Sequence, residues 1–286
     1  MDLKDFLLKY FKNISWRDKT IQSLFRCMDF PDWVIRRFNG LSYLPKYSIR
    51  VRSTGIEKQF GGKRLVKWGE TVAGLLADHA SLQSGQGVLE IGCGCGSAAF
   101  ALTRILENET YIGTDIDRIS IESCRRNELF KQKRFRFDWM DVHHPMYNPE
   151  GKIPAPSYRF PYADGRFDVI FLISVFTHML PEDVQNYIRE FGRMLRPGGK
   201  CLVTTFLMDS GYDGYIDFPY DHGDYRLHQE IVPEKAVGYY QAFFERHFQQ
   251  NHMRLMKKPL LGQWRKTIGG CSDIVFGQDV LIFINK

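Results

Sequence analysis

Most of the features that decide function outright are missing from this sequence. The 286 residues include six cysteines, at 27, 93, 95, 124, 201 and 271, and their spacing fits neither a zinc site nor a disulfide framework. Cys93 and Cys95 lie between glycines and no second cysteine pair follows. No metal site is therefore expected, and the thiols read as those of a reduced, cytoplasmic protein. No apolar run approaches the roughly 20 residues of a membrane span. The charged start Met1-Asp2-Leu3-Lys4-Asp5 lacks the continuous apolar stretch of a secretion signal. No internal repeat or low-complexity tract is present, and a net charge of +6 is modest for the length.

What the chain does have is 44% apolar residues, enough for one sizeable α/β core and an appendage. Much of the positive excess lies between Arg36 and Lys67, through Arg37, Lys46, Arg50, Arg52, Lys58, Lys63 and Arg64, with only Glu57 in its midst and Glu70 just beyond it. Such a run can grip phosphates. It reads more simply as a solvated surface ahead of the core domain.

The first forty residues read as helices. Leu3, Phe6, Leu7, Tyr10 and Phe11 repeat at the spacing of one apolar helix face; Ile21, Leu24, Phe25 and Met28 suggest a second helix, and Pro31-Asp32-Trp33 a short third. These faces are expected to pack on the core, to cap a substrate pocket, or both. Pro45 and Gly61-Gly62 mark residues 41–65 as an irregular linker, so the domains are expected to be 1–65 and 66–286. After a helix near 66–82 the pattern alternates: strand 87–91, helix 97–107, strand 110–114, helix 118–130, strand 134–140. Residues 167–173 form a nearly continuous apolar run, as in a strand buried on both faces. A helix from Pro181 carries Val184, Tyr187, Ile188, Phe191 and Leu195 on one face, and Lys200 to Phe206 returns as a strand. A helix around 233–248 precedes strands at 252–258 and 280–284, which have no helix between them and can pair antiparallel. The expected fold is α/β, doubly wound, with a seven-stranded, mostly parallel sheet, a C-terminal antiparallel hairpin and an N-terminal helical cap.

The richest signal is Val88-Leu89-Glu90-Ile91-Gly92-Cys93-Gly94-Cys95-Gly96 followed by Ser97-Ala98-Ala99-Phe100. It predicts a buried strand, a tight turn whose glycines permit positive φ and close approach, and a helix start with free N–H groups for an anionic ligand. A dinucleotide turn would need its third glycine at Ser97. The spacing E-x-G-x-G-x-G instead resembles motif I of the class I S-adenosylmethionine (SAM) methyltransferases, and the resemblance covers residues 66–208 well. It implies SAM as cofactor, held by Glu90, Gly92, Gly94 and Gly96 around its methionine part. It also implies Asp115 on the ribose, Ile116 beside the adenine, Asp141 and Val142 on the adenine edge, and Ser174 at the methionyl end. Leu195-Arg196-Pro197-Gly198-Gly199-Lys200 matches the family's helix-to-strand turn.

A closer resemblance is to bacterial methyltransferases of glycan and secondary-metabolite modification. It rests on Tyr147-Asn148-Pro149-Glu150-Gly151-Lys152, Arg159-Phe160-Pro161-Tyr162 and Ser174-Val175-Phe176-Thr177-His178-Met179-Leu180-Pro181-Glu182-Asp183. It implies a small-molecule acceptor, with transfer to a hydroxyl of a sugar, glycan precursor or secondary metabolite. A hydroxyl usually needs its proton removed. His178, just past the fourth strand's carboxyl end, is the first candidate for that base. Tyr220, Asp221 and His222 are further candidates, from an aromatic and acidic loop that includes Asp209, Tyr212, Asp213, Tyr215, Asp217, Asp224 and Tyr225. The insert from Met146 to Tyr158 reads as part of a lid, with Tyr147 nearest the cofactor. Ile173-Ser174-Val175-Phe176 stands where methyltransferases of DNA bases carry an Asp/Asn-Pro-Pro-aromatic turn, which argues against DNA. An RNA methyltransferase gripping through the basic segment stays open, as does a SAM-binding regulator without turnover.

Overall fold

The computed structural model describes residues 19–54, 59–209, 213–266 and 277–286. The helix expected from Leu3 to Phe11, together with Lys58, Tyr212 and Cys271, lies outside them. The chain divides into two compact units, Met1–Leu65 and Val66–Lys286.

In the first unit, α1 (Lys19–Cys27) and α2 (Asp29–Phe38) follow the expected periodicity, but α3 (Tyr47–Thr54) stands inside the stretch expected to be linker. Its sequence, YSIRVRST, is nearly without amphipathic pattern, which is why it reads as irregular. The packing of α2 is inside out. Its buried residues are Asp32 and Arg36, while Phe30, Trp33, Ile35 and Phe38 are exposed. Leu24 and Met28 are exposed as well, and Phe25 is buried. Asp32 is the hub: it accepts from Arg36 Nε at 2.7 Å, Arg50 Nη2 at 2.5 Å and the Gly61 N–H at 2.8 Å. Both arginines then donate onward, Arg36 to the Leu44 carbonyl at 2.7 Å and Arg50 to the Gln59 carbonyl at 2.6 Å. Two members of the basic run are thus interior tethers instead of solvated charges. Burying them is tolerated because each charge meets its opposite and further donors of both guanidinium groups meet backbone carbonyls.

In the second unit, β1 (Val88–Ile91), β2 (Tyr111–Asp115), β3 (Arg136–Trp139), β4 (Phe167–Leu172) and β5 (Leu195–Leu207) form a parallel sheet in the order 3-2-1-4-5. β10 (Asp279–Asn285) runs antiparallel on β5, and β9 (Met253–Leu255) antiparallel on β10. These seven strands are the expected sheet. β1 lies between β2 and β4, so the chain reverses its winding direction there. The crevice at the carboxyl ends of β1 and β4 is the switch point where open α/β sheets bind ligands.

Five features differ from the sequence pattern. The helix after the glycine turn, α5 (Ser97–Leu102), ends before 107 and continues only as turns. The helix expected at 118–130 is broken into α6 (Arg118–Arg126) and α7 (Glu128–Gln132) by Asn127, which is extended (φ −74°, ψ 124°) and caps α7 by accepting from the Leu129 N–H. β5 begins directly after α8 (Pro181–Met194), so Arg196-Pro197-Gly198-Gly199 is a bulge within the strand: Phe167 pairs Leu195, but Val169 pairs Lys200. Finally, the aromatic and acidic loop is not bare. β6 (Tyr220–Asp221), β7 (Tyr225–Leu227) and β8 (Val237–Tyr239) form a small sheet in which β8 pairs parallel with the end of β5. The helix expected from 233 begins only at α9 (Gln241–Gln250).

Packing fixes the glycine turn in place. α4 (Lys63–Ala80) approaches α5 at Gly69, where a Cβ would lie 2.1 Å from the Ser97 carbonyl oxygen. The long apolar side chains of α8 and α9 cover β4, β5 and β10, with Phe248 stacked on Phe283 at 3.6 Å.

Candidate functional site

The turn after β1 takes the shape its sequence predicts. Gly92, Gly94 and Gly96 have φ of +76°, +52° and +86°, and Gly96 opens α5. At Gly92 a Cβ would also stand 2.4 Å from Val175 Cγ2, so the residue serves both backbone conformation and clearance from the β4 loop. Asp115, at the end of β2, locks this turn: Oδ2 accepts from the Gly94 N–H and Oδ1 from the Asp117 N–H, each at 2.7 Å. Ile116 follows, its carbonyl taking the Trp139 indole N–H at 3.0 Å.

Glu90 sits differently from the others. Its carboxyl is buried and accepts from the Tyr111 hydroxyl on the neighbouring strand. Burial pushes its pKa up to about 8, against the opposing effect of the Tyr111 hydrogen bond. Gly113 makes room for this contact, since a Cβ there would meet the Tyr111 hydroxyl at 2.8 Å and Cys93 Sγ at 3.0 Å. Cys93, Cys95 and Cys124 are buried beside it, and burial drives the Cys93 and Cys124 thiols well above their ordinary range.

Asp141 and Val142 follow β3, and the insert folds back upon them. Ile153 donates to the Asp141 carbonyl at 3.0 Å, Lys152 N–H to its carboxylate at 3.2 Å, and Asn148 Nδ2 to the Val142 carbonyl at 2.9 Å. Gly151 permits this closeness, because a Cβ would lie 2.4 Å from the Val142 carbonyl oxygen. At the end of β4, Ser174 holds a left-handed φ of +57°, a conformation uncommon without a glycine. Thr204 Oγ1 accepts from its N–H at 2.8 Å, and Gln278 Oε1 accepts from both hydroxyls, at 2.9 Å from Ser174 and 2.7 Å from Thr204. Gln278 is 104 residues from Ser174 in sequence, and no local pattern could have found it.

The insert and the β4 loop bring three rings together. His144 Nδ1 accepts from the Met146 and Tyr147 N–H groups at 3.1 and 3.2 Å, which leaves Nε2–H to donate to the His178 carbonyl at 2.8 Å. His144 is thereby a fixed neutral tautomer that anchors the loop. His178 Nδ1 donates to the Glu234 carbonyl at 2.9 Å, and its Nε2 faces the Tyr147 hydroxyl at 3.4 Å. Burial holds its pKa below the ordinary histidine value, although backbone hydrogen bonds to Glu234 and Lys235 act the other way. So Nε2 is an acceptor at neutral pH, with ring orientation fixed from both sides. His144 and Glu234 went unnoticed in the sequence because their contribution is a carbonyl and a ring tautomer, which residue type does not disclose.

Tyr220, Asp221 and His222 come together on the small sheet. Asp221 is exposed and accepts from the Gly223 N–H, Arg226 and the Tyr240 hydroxyl, and His222 stacks on Tyr225 at 5.0 Å. The Gly223 hydrogen bond, ahead of the other partners, holds the Asp221 carboxyl below its ordinary value. Among the described residues, their hydrogen bonds and ring contacts lie within this hairpin and at Tyr240, away from the rings around His178.

Against known proteins, a family model described as a methyltransferase domain matches residues 89–201. The phthiotriol/phenolphthiotriol dimycocerosates methyltransferase 1 of Mycobacterium ulcerans is 32% identical over 128 residues, covering 45% of this chain and 40% of that protein. The fatty-acid O-methyltransferase of Mycolicibacterium smegmatis is 31% identical over 121 residues, 42% of this chain and 37% of that one. The chain thus spans less than half the length of these two relatives. Among solved structures, the PH0226 protein of Pyrococcus horikoshii superposes with a TM-score of 0.53 at 15% identity, over 82% of this chain and 96% of that one, a likeness of fold.

Proposed function

We propose that this chain, whose residues 89–201 match a methyltransferase-domain model, is a class I SAM-dependent methyltransferase that transfers a methyl group to the hydroxyl of a small-molecule acceptor, a sugar, glycan precursor or secondary metabolite, lipid-linked forms included. The carrying observation is the set of His178 partners.

The residues present fit the cofactor. Gly92, Gly94 and Gly96 expose backbone at a helix start, and Ser174 is held in a strained conformation at the switch point. Asp115 closes the turn with both carboxylate oxygens at the end of β2, where the resemblance puts the ribose hydroxyls. Ile116, Asp141 and Val142 border the adenine side, and Glu90 acts from beneath by holding β1 on β2. When bound, SAM supplies an electrophilic methyl group on a sulfonium.

The chain's own contribution to an O-directed reaction is a proton acceptor and its orientation. An acceptor hydroxyl that takes the place of the Tyr147 hydroxyl against His178 Nε2 gives up its proton there as its oxygen attacks. The Glu234 carbonyl keeps Nδ1 protonated and stabilises the imidazolium that results. Tyr147 borders the same nitrogen and holds the ring edge. Tyr220, Asp221 and His222 are assigned to acceptor recognition on the appended sheet, since Asp221 is already engaged by Arg226 and Gly223. The name of one relative, a fatty-acid O-methyltransferase, supports oxygen as the acceptor atom.

Calorimetry with S-adenosylhomocysteine, followed by labelled methyl transfer into hydroxylated lipid, sugar, phenol and RNA pools, tests this reading. Asp115→Ala is expected to weaken cofactor binding at least about tenfold, as loss of a charged hydrogen-bonding group does. His178→Asn is expected to lower transfer about a hundredfold or more, with cofactor affinity unchanged. The wild-type rate should stay level through neutral pH and fall on acidification below the ordinary histidine value, with that fall absent in His178→Asn. A folded wild type that ignores the cofactor overturns the assignment. Transfer to RNA alone, with steep salt dependence, would overturn the small-molecule acceptor.

A further inference from the structure

The inverted helix of the N-terminal unit has a consequence of its own, independent of methyl transfer. In a folded unit an amphipathic helix turns its apolar stripe inward. Here α2 turns Asp32 and Arg36 inward and leaves Phe30 72%, Trp33 47% and Phe38 88% exposed. Phe30 and Trp33 stack on each other at 6.1 Å, so the exposed rings form a patch and not scattered points. Leu24 and Met28, from α1 and the junction, are 54% and 38% exposed. The inversion is held firmly, because rotating α2 to bury these rings would pull Asp32 from both arginines and leave Arg50, fully buried, without its carboxylate.

Charge selects what covers the patch. Among the described residues of this unit the only carboxylates are Asp29 and Asp32. Asp32 is buried, and Asp29 is half-buried and bound to the Ser48 N–H and hydroxyl at 2.8 and 2.9 Å. Every exposed charge described in this unit is therefore positive: Arg26 and Arg37 on the two helices, with Lys46, Lys63 and Arg64 beyond. Exposed aromatic rings with arginines among them, on short helices, are the composition of an interfacial anchor, whose rings enter the headgroup boundary while the cations meet anionic lipid. A second copy of the chain fits poorly, since a two-fold contact through this face would set two surfaces whose described exposed charges are all positive against each other. We propose that the α1–α2 face docks on an anionic lipid surface.

Co-sedimentation of the full chain with phosphatidylcholine vesicles, with and without phosphatidylglycerol, tests this. The expected result is binding to the anionic vesicles alone, weakened by salt. Phe30→Ser with Phe38→Ser, and separately Arg26→Gln with Arg37→Gln, should each weaken binding about tenfold or more, while S-adenosylhomocysteine binding stays unchanged, which separates this proposal from the catalytic one. Independently of those variants, brominated lipid should quench tryptophan emission in the wild type, and the quenching should drop in Trp33→Phe. The proposal is overturned if the wild type ignores anionic vesicles or if the serine variant folds and binds them equally. A wild-type dimer that the same serine substitutions turn into a monomer would also overturn it, giving the face to self-association.

Discussion

Glu90 shows how a motif residue can be legible in sequence while its chemistry is not. Its place before the glycines suggests a carboxylate lining a ligand, yet the side chain faces Tyr111 in a sealed interior. With its pKa near 8 folded and near 4.5 unfolded, it carries a proton in the folded chain that the unfolded chain has released between those values. Its contribution to stability is therefore full below pH 4.5 and is lost as pH rises toward 8, at up to about 1.4 kcal/mol per pH unit. Glu90→Gln keeps the hydrogen bond from Tyr111 and removes the titration. Its melting temperature should match the wild type at about pH 5 and exceed it at about pH 8; parallel melting curves across that range would refute the protonated carboxyl. His178 is the opposite case, a residue whose candidacy came from its place after β4 and whose tautomer only the fold supplies.

Among elements, the glycine turn and its flanking strand and helix could be read in advance because positive φ and close approach restrict those positions to one residue type. Strands β1, β2 and β4 were equally plain, being buried along their whole length. The failures have physical causes. α3 carries no apolar stripe, and β6 to β8 are two or three residues each, too short to show a period. The break at Asn127 hid inside a continuing helical pattern, for Phe130 is buried as a continued stripe would have it. The capping contact predicts that Asn127→Ala destabilises the protein by about 1 kcal/mol, read as a lower melting temperature with cofactor affinity intact. Equal melting temperatures would mean that the break is set by Phe130 packing instead. At α2 the short helix expected around Pro31-Asp32-Trp33 runs from Asp29 to Phe38, and the pairing of Asp32 with Arg36 on the same helix and Arg50 on α3 outranks apolar burial there.

At the scale of the whole molecule, each of the two units has its own means of cohesion, an aromatic and aliphatic core in one and a buried ionic hub in the other. Burial raises the Asp32 pKa, but hydrogen bonds from Arg50, Arg36 and Gly61 outweigh it and hold the carboxyl below its ordinary value. Asp32→Asn should cost about 3–5 kcal/mol, the usual effect of breaking a buried pair. Hydrogen exchange would then quicken across residues 29–54 while β1 and β2 keep their protection; uniform quickening throughout would contradict separate cohesion. The core domain also holds a detail of wider reach. Leu207 and Tyr239 are paired neighbours on adjacent strands, so the excursion between them leaves and rejoins the sheet at almost the same point. Closing such an excursion costs only logarithmically more as it lengthens, and its tie to the β4 loop described above, the Glu234 carbonyl on His178, is made through backbone. The segment is thus an exchangeable cassette: a relative's counterpart can be spliced in at the same two anchors, and selectivity for the methylated molecule can diverge while the cofactor machinery stays as it is.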